Sequence, residues 1–327
     1  MKSVLVTGGA GYIGSHTCKA LARTGYVPVT YDNLSQGHRW AVGWGPLEVG
    51  DLADRGRLAQ VIDQYRPVAA MHFAARLNVG ESVCDPGGYY RNNVAGTLNL
   101  LEALRDAGVD QLVFSSTCAT YGRPEWMPLT EDHPERPINP YGMSKLMVEH
   151  MLADFATAHG LRAMMLRYFN AAGADPEGEI GEAHDPEPHL IPLVLAVAGG
   201  QREAITVFGD DYDTLDGTCV RDYIHVADLA EAHVLALQAL EGGGGSAAFN
   251  LGNGHGFSVQ QVIETARKVT GREIAVIRGP RRAGDPDRLV GDASLARAEL
   301  GWQPFYVDLE AIVATAWDWH RRHFMGS

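Results

Sequence analysis

Cysteine is scarce in this 327-residue chain: Cys18, Cys84, Cys118 and Cys219, with no C-x-x-C pair among them. That spacing indicates neither a zinc site nor a disulfide framework, so no metal is expected, and it suits thiols kept in a reducing cytosol. Long apolar runs are also missing. None approaches the ~20 residues that a membrane span requires. The first strand is expected to begin by Ser3, which leaves no room for a signal peptide ahead of it, so the expected compartment is the cytoplasm. Positive charge is in deficit, with 27 basic against 40 acidic side chains and a net charge of −13. That balance argues against a nucleic-acid partner, although a few placed arginines can still hold an anionic ligand. What the chain has in quantity is glycine, 38 residues, and 46% apolar residues, enough for a sizeable core with many close backbone approaches.

The first half alternates strands and helices. Residues 3–7, 27–31, 69–73, 111–116 and 163–168 read as strands. Residues 13–23, 89–107 and 141–159 read as helices, the second because Val94, Leu98, Leu101 and Leu104 recur at helical spacing. Such βαβ alternation predicts an α/β fold: a doubly wound parallel sheet of the Rossmann type with helices on both faces. Beyond Asn170 the texture changes. Residues 172–188 lack a period and read as a long loop of the kind that often carries function. A helix over 190–198, a strand over 204–208, a helix over 226–240 and a glycine turn over 242–245 follow. The expected division is a dinucleotide-binding domain, 1–170, and a smaller α/β substrate domain, 171–327, with segments around 210–250 returning to the main sheet. No internal repeat is present.

Four groups of residues carry chemistry. Gly8-Gly9-Ala10-Gly11-Tyr12-Ile13-Gly14 lies between a strand and a helix, where glycines admit a pyrophosphate and the helix N-terminus offers amide donors. Asp32 ends the next strand, where a carboxylate can bond both adenosine ribose hydroxyls and repel a 2′-phosphate. The expected cofactor is therefore NAD rather than NADP. Tyr141 and Lys145 are four apart and share a helix face. A free phenol titrates near about 10, and an ammonium beside it, with the positive nicotinamide ring, is expected to lower that value. Ser115-Ser116-Thr117 ends a strand at the edge where open parallel sheets bind ligands, and a hydroxyl there can bond a sugar oxygen that is losing its proton. The fourth group is scattered: Asn170, Phe208, Arg221, Arg282 and Asp285. Arginines suit a diphosphate and Phe208 can stack on a flat base. Each also reads singly as an ordinary core, capping or solvated residue.

The motifs Thr7-Gly-Gly-Ala-Gly-Tyr-Ile-Gly-Ser-His16, Asp32-Asn33-Leu34, Val79-Gly-Glu-Ser82, Asn92-Asn93-Val94, Leu166-Arg-Tyr-Phe-Asn170 and Arg221-Asp-Tyr-Ile-His225 resemble the UDP-glucose 4-epimerase family of the extended short-chain dehydrogenases/reductases. The glycine motif and the Tyr/Lys pair specify only the superfamily, whereas the segment 209–225 is far more specific to 4-epimerases. The resemblance implies a tightly held NAD⁺ and a UDP-sugar substrate inverted at C4 through a 4-keto intermediate. It implies Tyr141, Lys145 and Thr117 as catalytic residues. Around the cofactor it implies Gly8, Gly11, Tyr12, Ile13, Gly14, Asp32, Asn33, Asp51, Leu52, Phe73, Ala74, Ala75, Asn93, Ser115, Tyr141, Lys145 and Tyr168. Around the substrate it implies Thr117, Tyr141, Asn170, His189, Leu190, Thr206, Phe208, Arg221, Arg282, Asp285 and Leu289. A homodimer through the helices 89–107 and 141–159 is also implied, and the second carries more apolar surface than one buried face needs.

Some positions depart from the family pattern. Thr117 stands where many members have serine and keeps the hydroxyl. Leu77 replaces a lysine found near the cofactor in some members, and that role is not carried over. His189 stands where some members use asparagine. Leu289 lies where some have a bulky tyrosine, which suggests room for a 2-acetamido group. A 4,6-dehydratase would need an acid/base pair after Thr117, but Cys118-Ala119 follow. A pentose 4-epimerase shares the same C4 chemistry, and a non-catalytic dinucleotide sensor is the remaining alternative.

Overall fold

The computed structural model describes residues 1–282 and 285–326. The chain runs through β1 (Ser3–Thr7), α1 (Tyr12–Arg23), β2 (Val27–Asp32), β3 (Leu47–Val49), α2 (Arg55–Tyr65), β4 (Ala69–His72), α3 (Val79–Cys84), α4 (Pro86–Tyr89), α5 (Gly96–Asp106), β5 (Gln111–Thr117), α6 (Pro140–His159) and β6 (Arg162–Tyr168). It continues through β7 (Asn170–Ala172), α7 (Leu190–Ala198), β8 (Ile205–Phe208), β9 (Val220–Arg221), β10 (Tyr223–His225), α8 (Val226–Glu241), β11 (Ala247–Leu251), β12 (Phe257–Ser258), α9 (Val259–Thr270), β13 (Val276–Gly279), β14 (Arg288–Leu289), α10 (Ser294–Glu299) and α11 (Leu309–Phe324).

Seven strands form one parallel sheet in the order β11-β6-β5-β4-β1-β2-β3. Strand order reverses between β1 and β4, which opens a crevice at their C-terminal ends. Side-chain alternation along each strand explains why both faces are covered. Val4 and Val6 of β1 point to one face, packed with Cys18 and Leu21 of α1 and with Leu229, Val234 and Leu237 of α8. Leu5 points to the other, packed with Leu58, Val61 and Ile62 of α2, Leu100 and Leu104 of α5, and Val148 and Leu152 of α6. A third apolar cluster gathers Val194 and Leu195 of α7, Val262 and Ile263 of α9, and Ile312 and Val313 of α11. The doubly wound fold expected from the alternation is present.

One expected helix is broken. Residues 89–107 divide into the end of α4, a π-helical turn over Tyr90–Ala95, and α5. The turn carries Asn93, whose buried amide accepts from Arg76 N (2.8 Å) and donates to Arg76 O and to Ser144 Oγ (both 3.0 Å). These bonds fasten the segment after β4 to α6, and apolar spacing carries no trace of them. α6 begins one residue earlier than expected, at Pro140, which sits at the first helical position behind Asn139, whose side chain accepts from Gly142 N (2.8 Å).

Candidate active site

The glycine motif is a backbone cradle. Gly8 has φ of +76°, and its N–H donates to Tyr31 O at 2.9 Å. A Cβ on Gly14 would lie 2.2 Å from Gly8 O, and one on Gly8 would lie 2.5 Å from Ala74 N. Only glycine allows β1, β4 and α1 to approach so closely. No side chain caps α1 at Gly11, so its first-turn N–H groups face the crevice ready for an anion. Asp32 is buried, with one carboxylate oxygen accepting from Ala10 N (3.0 Å) and the other from Leu34 N (2.8 Å). It ties β2 to the cradle, and each oxygen keeps a lone pair for a ribose hydroxyl. Asn33 donates to Asp51 at 2.7 Å, and Leu52 O accepts from Asn99 at 3.0 Å. Phe73 and Ala74 both donate N–H to Thr7 O (2.8 and 3.0 Å), and Ala75 follows them. These residues can hold a dinucleotide along the sheet edge. Tyr12 turns elsewhere, with its hydroxyl on Gly173 O at 2.6 Å.

At the C-terminal end of β5, the Thr117 side chain lies beside the Tyr141 phenol and favours its ionised form. The Lys145 ammonium donates to Ser115 O at 2.7 Å and lies 4.8 Å from the Phe114 ring centroid. Ser115 Oγ pairs with the Tyr168 hydroxyl. Burial pushes the Tyr141 phenol up to about 12, with Thr117 acting the other way. The lowered value expected from Lys145 is not what these residues alone produce. Burial also draws the Lys145 ammonium down to about 7, with Glu149 opposing. Desolvation outweighs the mutual influence of the pair.

The scattered group is brought together only by the fold. Arg221 pairs with Asp285. Arg282 lies with its guanidinium 4.3 Å from the Phe208 ring centroid. Thr206 and Phe208 share a face of β8. Asn170 donates its side-chain N–H to Asp222 O at 2.9 Å. Leu289 stands opposite Arg221 in the parallel pair β14–β9. His189 precedes Leu190 at the start of α7.

Two clusters escape a sequence reading. Glu182, His184, Glu187 and His189 bring four ligand-type atoms within 4.8 Å of one another. They are joined as ion pairs, His189 Nδ1 to Glu182 at 2.6 Å and His184 Nδ1 to Glu182 at 3.0 Å. The carboxylates hold His184 up to about 9 and His189 up to about 10, so two imidazolium ions balance two carboxylates. The second cluster is Glu149 and Arg167, both buried beneath Ser116. Arg167 lies in the Leu166–Asn170 motif, but the sequence does not pair it with Glu149; the fold brings the two into one layer. The only signal was Glu149 falling on the Tyr141/Lys145 face.

The model of the NAD dependent epimerase/dehydratase family matches residues 4–252. UDP-glucose 4-epimerase of Rhizobium meliloti is 55% identical over 324 residues, covering 99% of this chain and 98% of its own. The crystal structure of UDP-glucose 4-epimerase from Brucella ovis in complex with NAD is 54% identical with a TM-score of 0.95, covering 97% of this chain and 98% of that one. UDP-glucose-4-epimerase from Stenotrophomonas maltophila, with bound NAD and formylated UDP-arabinopyranose, is 42% identical with a TM-score of 0.96 and full coverage of both chains.

Proposed function

The chain belongs to the NAD dependent epimerase/dehydratase family, and from that premise we propose that it interconverts UDP-glucose and UDP-galactose by inverting C4, with NAD as cofactor. It is an isomerase with no net redox product. The observation that carries this reading is the placement of the Thr117 side chain, at the end of β5, beside the Tyr141 phenol, with Cys118 and Ala119 next in the chain. Two hydroxyls lie side by side there, and no acid/base pair for dehydration follows them in the chain.

Residues 1–170 form the cofactor half in this reading and residues 171–327 the UDP-sugar half, with α8 and β11 returning to the central sheet. The cradle of Gly8, Gly11 and Gly14 receives the pyrophosphate, and Asp32 the adenosine ribose. The cofactor, when bound, supplies the hydride acceptor at C4 and then the donor. Tyr141 takes the proton of the 4-hydroxyl and later returns it. Its phenol is held high by burial, so positive charge arriving beside it favours the phenolate. Thr117 keeps the sugar oxygen in line, and Lys145 bonds the nicotinamide ribose. Arg221 and Arg282 take the diphosphate, Phe208 the uracil and Asp285 the uridine ribose. The 4-keto sugar then turns about its diphosphate linkage and presents its other face.

No described helix is long and apolar enough to cross a membrane, and the working compartment is the cytoplasm. The dimer forms through α5 and α6, where Leu98 and Met147 remain exposed. Incubating the purified protein with UDP-glucose, UDP-GlcNAc and UDP-xylose, without added NAD, and assaying each C4 epimer tests the reading. Conversion of UDP-glucose supports it. Failure on all three, with NAD bound, would sink it.

A further inference from the structure

Tyr141, Lys145 and Glu149 recur every four residues on one face of α6, and each meets a different residue at the end of β5. Tyr141 lies beside the Thr117 side chain. Lys145 donates to Ser115 O at 2.7 Å. Glu149 accepts from the Ser116 hydroxyl. Glu149 itself belongs to no motif and to no step of the reaction. Glu149 is buried, 6% exposed, in a place where an unpaired carboxylate is costly. Arg167 of β6 is its partner, donating Nε to the same carboxylate at 3.0 Å and pairing through Nη2 with both Glu149 and Glu135. The chain continues from Arg167 Nη1 to the Tyr121 hydroxyl (3.1 Å) and on to Asn250 (2.7 Å).

We propose that Glu149 is a positioning residue for the epimerisation, acting through Ser116 on the placement of Thr117 and through its charge on the ammonium state of Lys145. The proposal rests on the 4-epimerase reading above. The groups facing Lys145 support it. Phe114 of β5 offers an aromatic ring. His72 of β4 is held neutral by burial and pushed further that way by Lys145. Tyr141 on α6 and Tyr168 on β6 are protonated phenols raised by burial. Arg167 is cationic and hydrogen-bonded on the far side of Glu149. Among these groups only Glu149 brings negative charge to favour the ammonium, and it opposes a burial that draws Lys145 toward neutrality.

The test compares the wild type, Glu149→Gln, and the double variant E149Q/R167M, which removes both members of the buried pair and leaves no stranded cation. Each is assayed with UDP-glucose over a pH series, with thermal melting measured alongside. Loss of the carboxylate is expected to lower kcat ~10-fold, less than the ~10²–10⁴-fold of losing an acid/base group outright, with KM little changed. The alkaline limb of kcat is expected to move about one unit toward lower pH, because Lys145 loses its proton sooner. The double variant should keep this shift even where its melting temperature matches the wild type. An E149Q/R167M enzyme that melts like the wild type with unchanged kcat and pH profile would overturn the proposal. A wild type that is itself inactive on UDP-sugars would overturn the functional reading instead.

Discussion

The Lys145 ammonium and the Ser115 carbonyl are 2.7 Å apart, so the lysine that shares a helix face with Tyr141 is anchored to β5 rather than turned onto the phenol. The pair therefore works by registration as well as by charge. α6 and β5 are pinned together at the point where Thr117 meets Tyr141.

Tyr141→Phe separates the roles of that pair. The ring keeps its packing, the proton acceptor is lost, and the cradle of Gly8, Gly11 and Gly14 is untouched. Epimerisation should fall by ~10²–10⁴-fold, the scale of a lost acid/base group, while NAD released on denaturation stays near one per chain. Activity within a factor of a few of the wild type would show that another group takes the proton.

Gly14→Ala tests the cradle. Its Cβ would meet Gly8 O at 2.2 Å and Gly9 Cα at 2.9 Å, backbone atoms that cannot swing aside. Gly11→Ala is the milder change, because its φ of −82° suits any residue and its Cβ would be 3.3 Å from Gly8 O. The Gly14 variant should lose bound nucleotide and melt at least ~5 °C lower, whereas the Gly11 variant should fold and bind NAD more weakly. Chromatography of the released nucleotide and a melting curve distinguish the two.

Stability should peak at about pH 6.5. Burial holds His72 and His225 down to about 3 and His16 and His233 down to about 4, against 6.5 unfolded. Their neutral forms are favoured in the folded state, so the contribution is present above pH 6.5 and is lost as pH falls from there toward 3–4. His184 and His189 are raised, to about 9 and about 10, so their contribution is full below 6.5 and lost as pH rises through those values. Asp222, raised to about 6 by burial, works against the acid limb: its contribution is present below 3.8 and lost as pH rises through 6. Four histidines outweigh one carboxyl. Calorimetry should show the melting temperature highest at about pH 6.5, falling toward acid as the four buried histidines charge and falling toward alkaline pH between about 6.5 and 10 as the His184 and His189 contribution is lost. A midpoint that keeps rising below pH 6 would contradict the assignment.

The parts of the site that the sequence makes legible are local. Gly8 to Gly14 must be glycine-rich because β1 and α1 nearly touch, and Tyr141 and Lys145 share a face because α6 is one unbroken helix. Pairings that depend on tertiary register were hidden. Arg221 and Asp285 are 64 residues apart and meet only because β14 lies beside β9. The π-turn at Asn93 arises from side-chain bonds to Arg76 and Ser144 that no hydrophobic spacing encodes. Arg167 falls in the Leu166–Asn170 motif, but its pairing with Glu149 arises only when β6 and α6 pack together. The fold itself was easier, because strands buried on both faces leave a strong apolar signature.

Leu289→Tyr addresses the choice of sugar. Leu289 lies half-buried on β14, paired in register with Arg221, so its side chain borders the groups assigned to the diphosphate. Tyrosine there adds a ring and a hydroxyl to the pocket wall. A bulkier side chain at that position is expected to crowd a 2-acetamido group while leaving the C4 of glucose and galactose free. The variant should keep UDP-glucose turnover within a few-fold while losing UDP-GlcNAc turnover by ~10–100-fold, the discrimination a steric change in a pocket typically yields. The ratio of kcat/KM for the two substrates, measured on wild type and variant, decides it. An unchanged ratio would remove Leu289 from the sugar pocket and leave the preference to be set elsewhere.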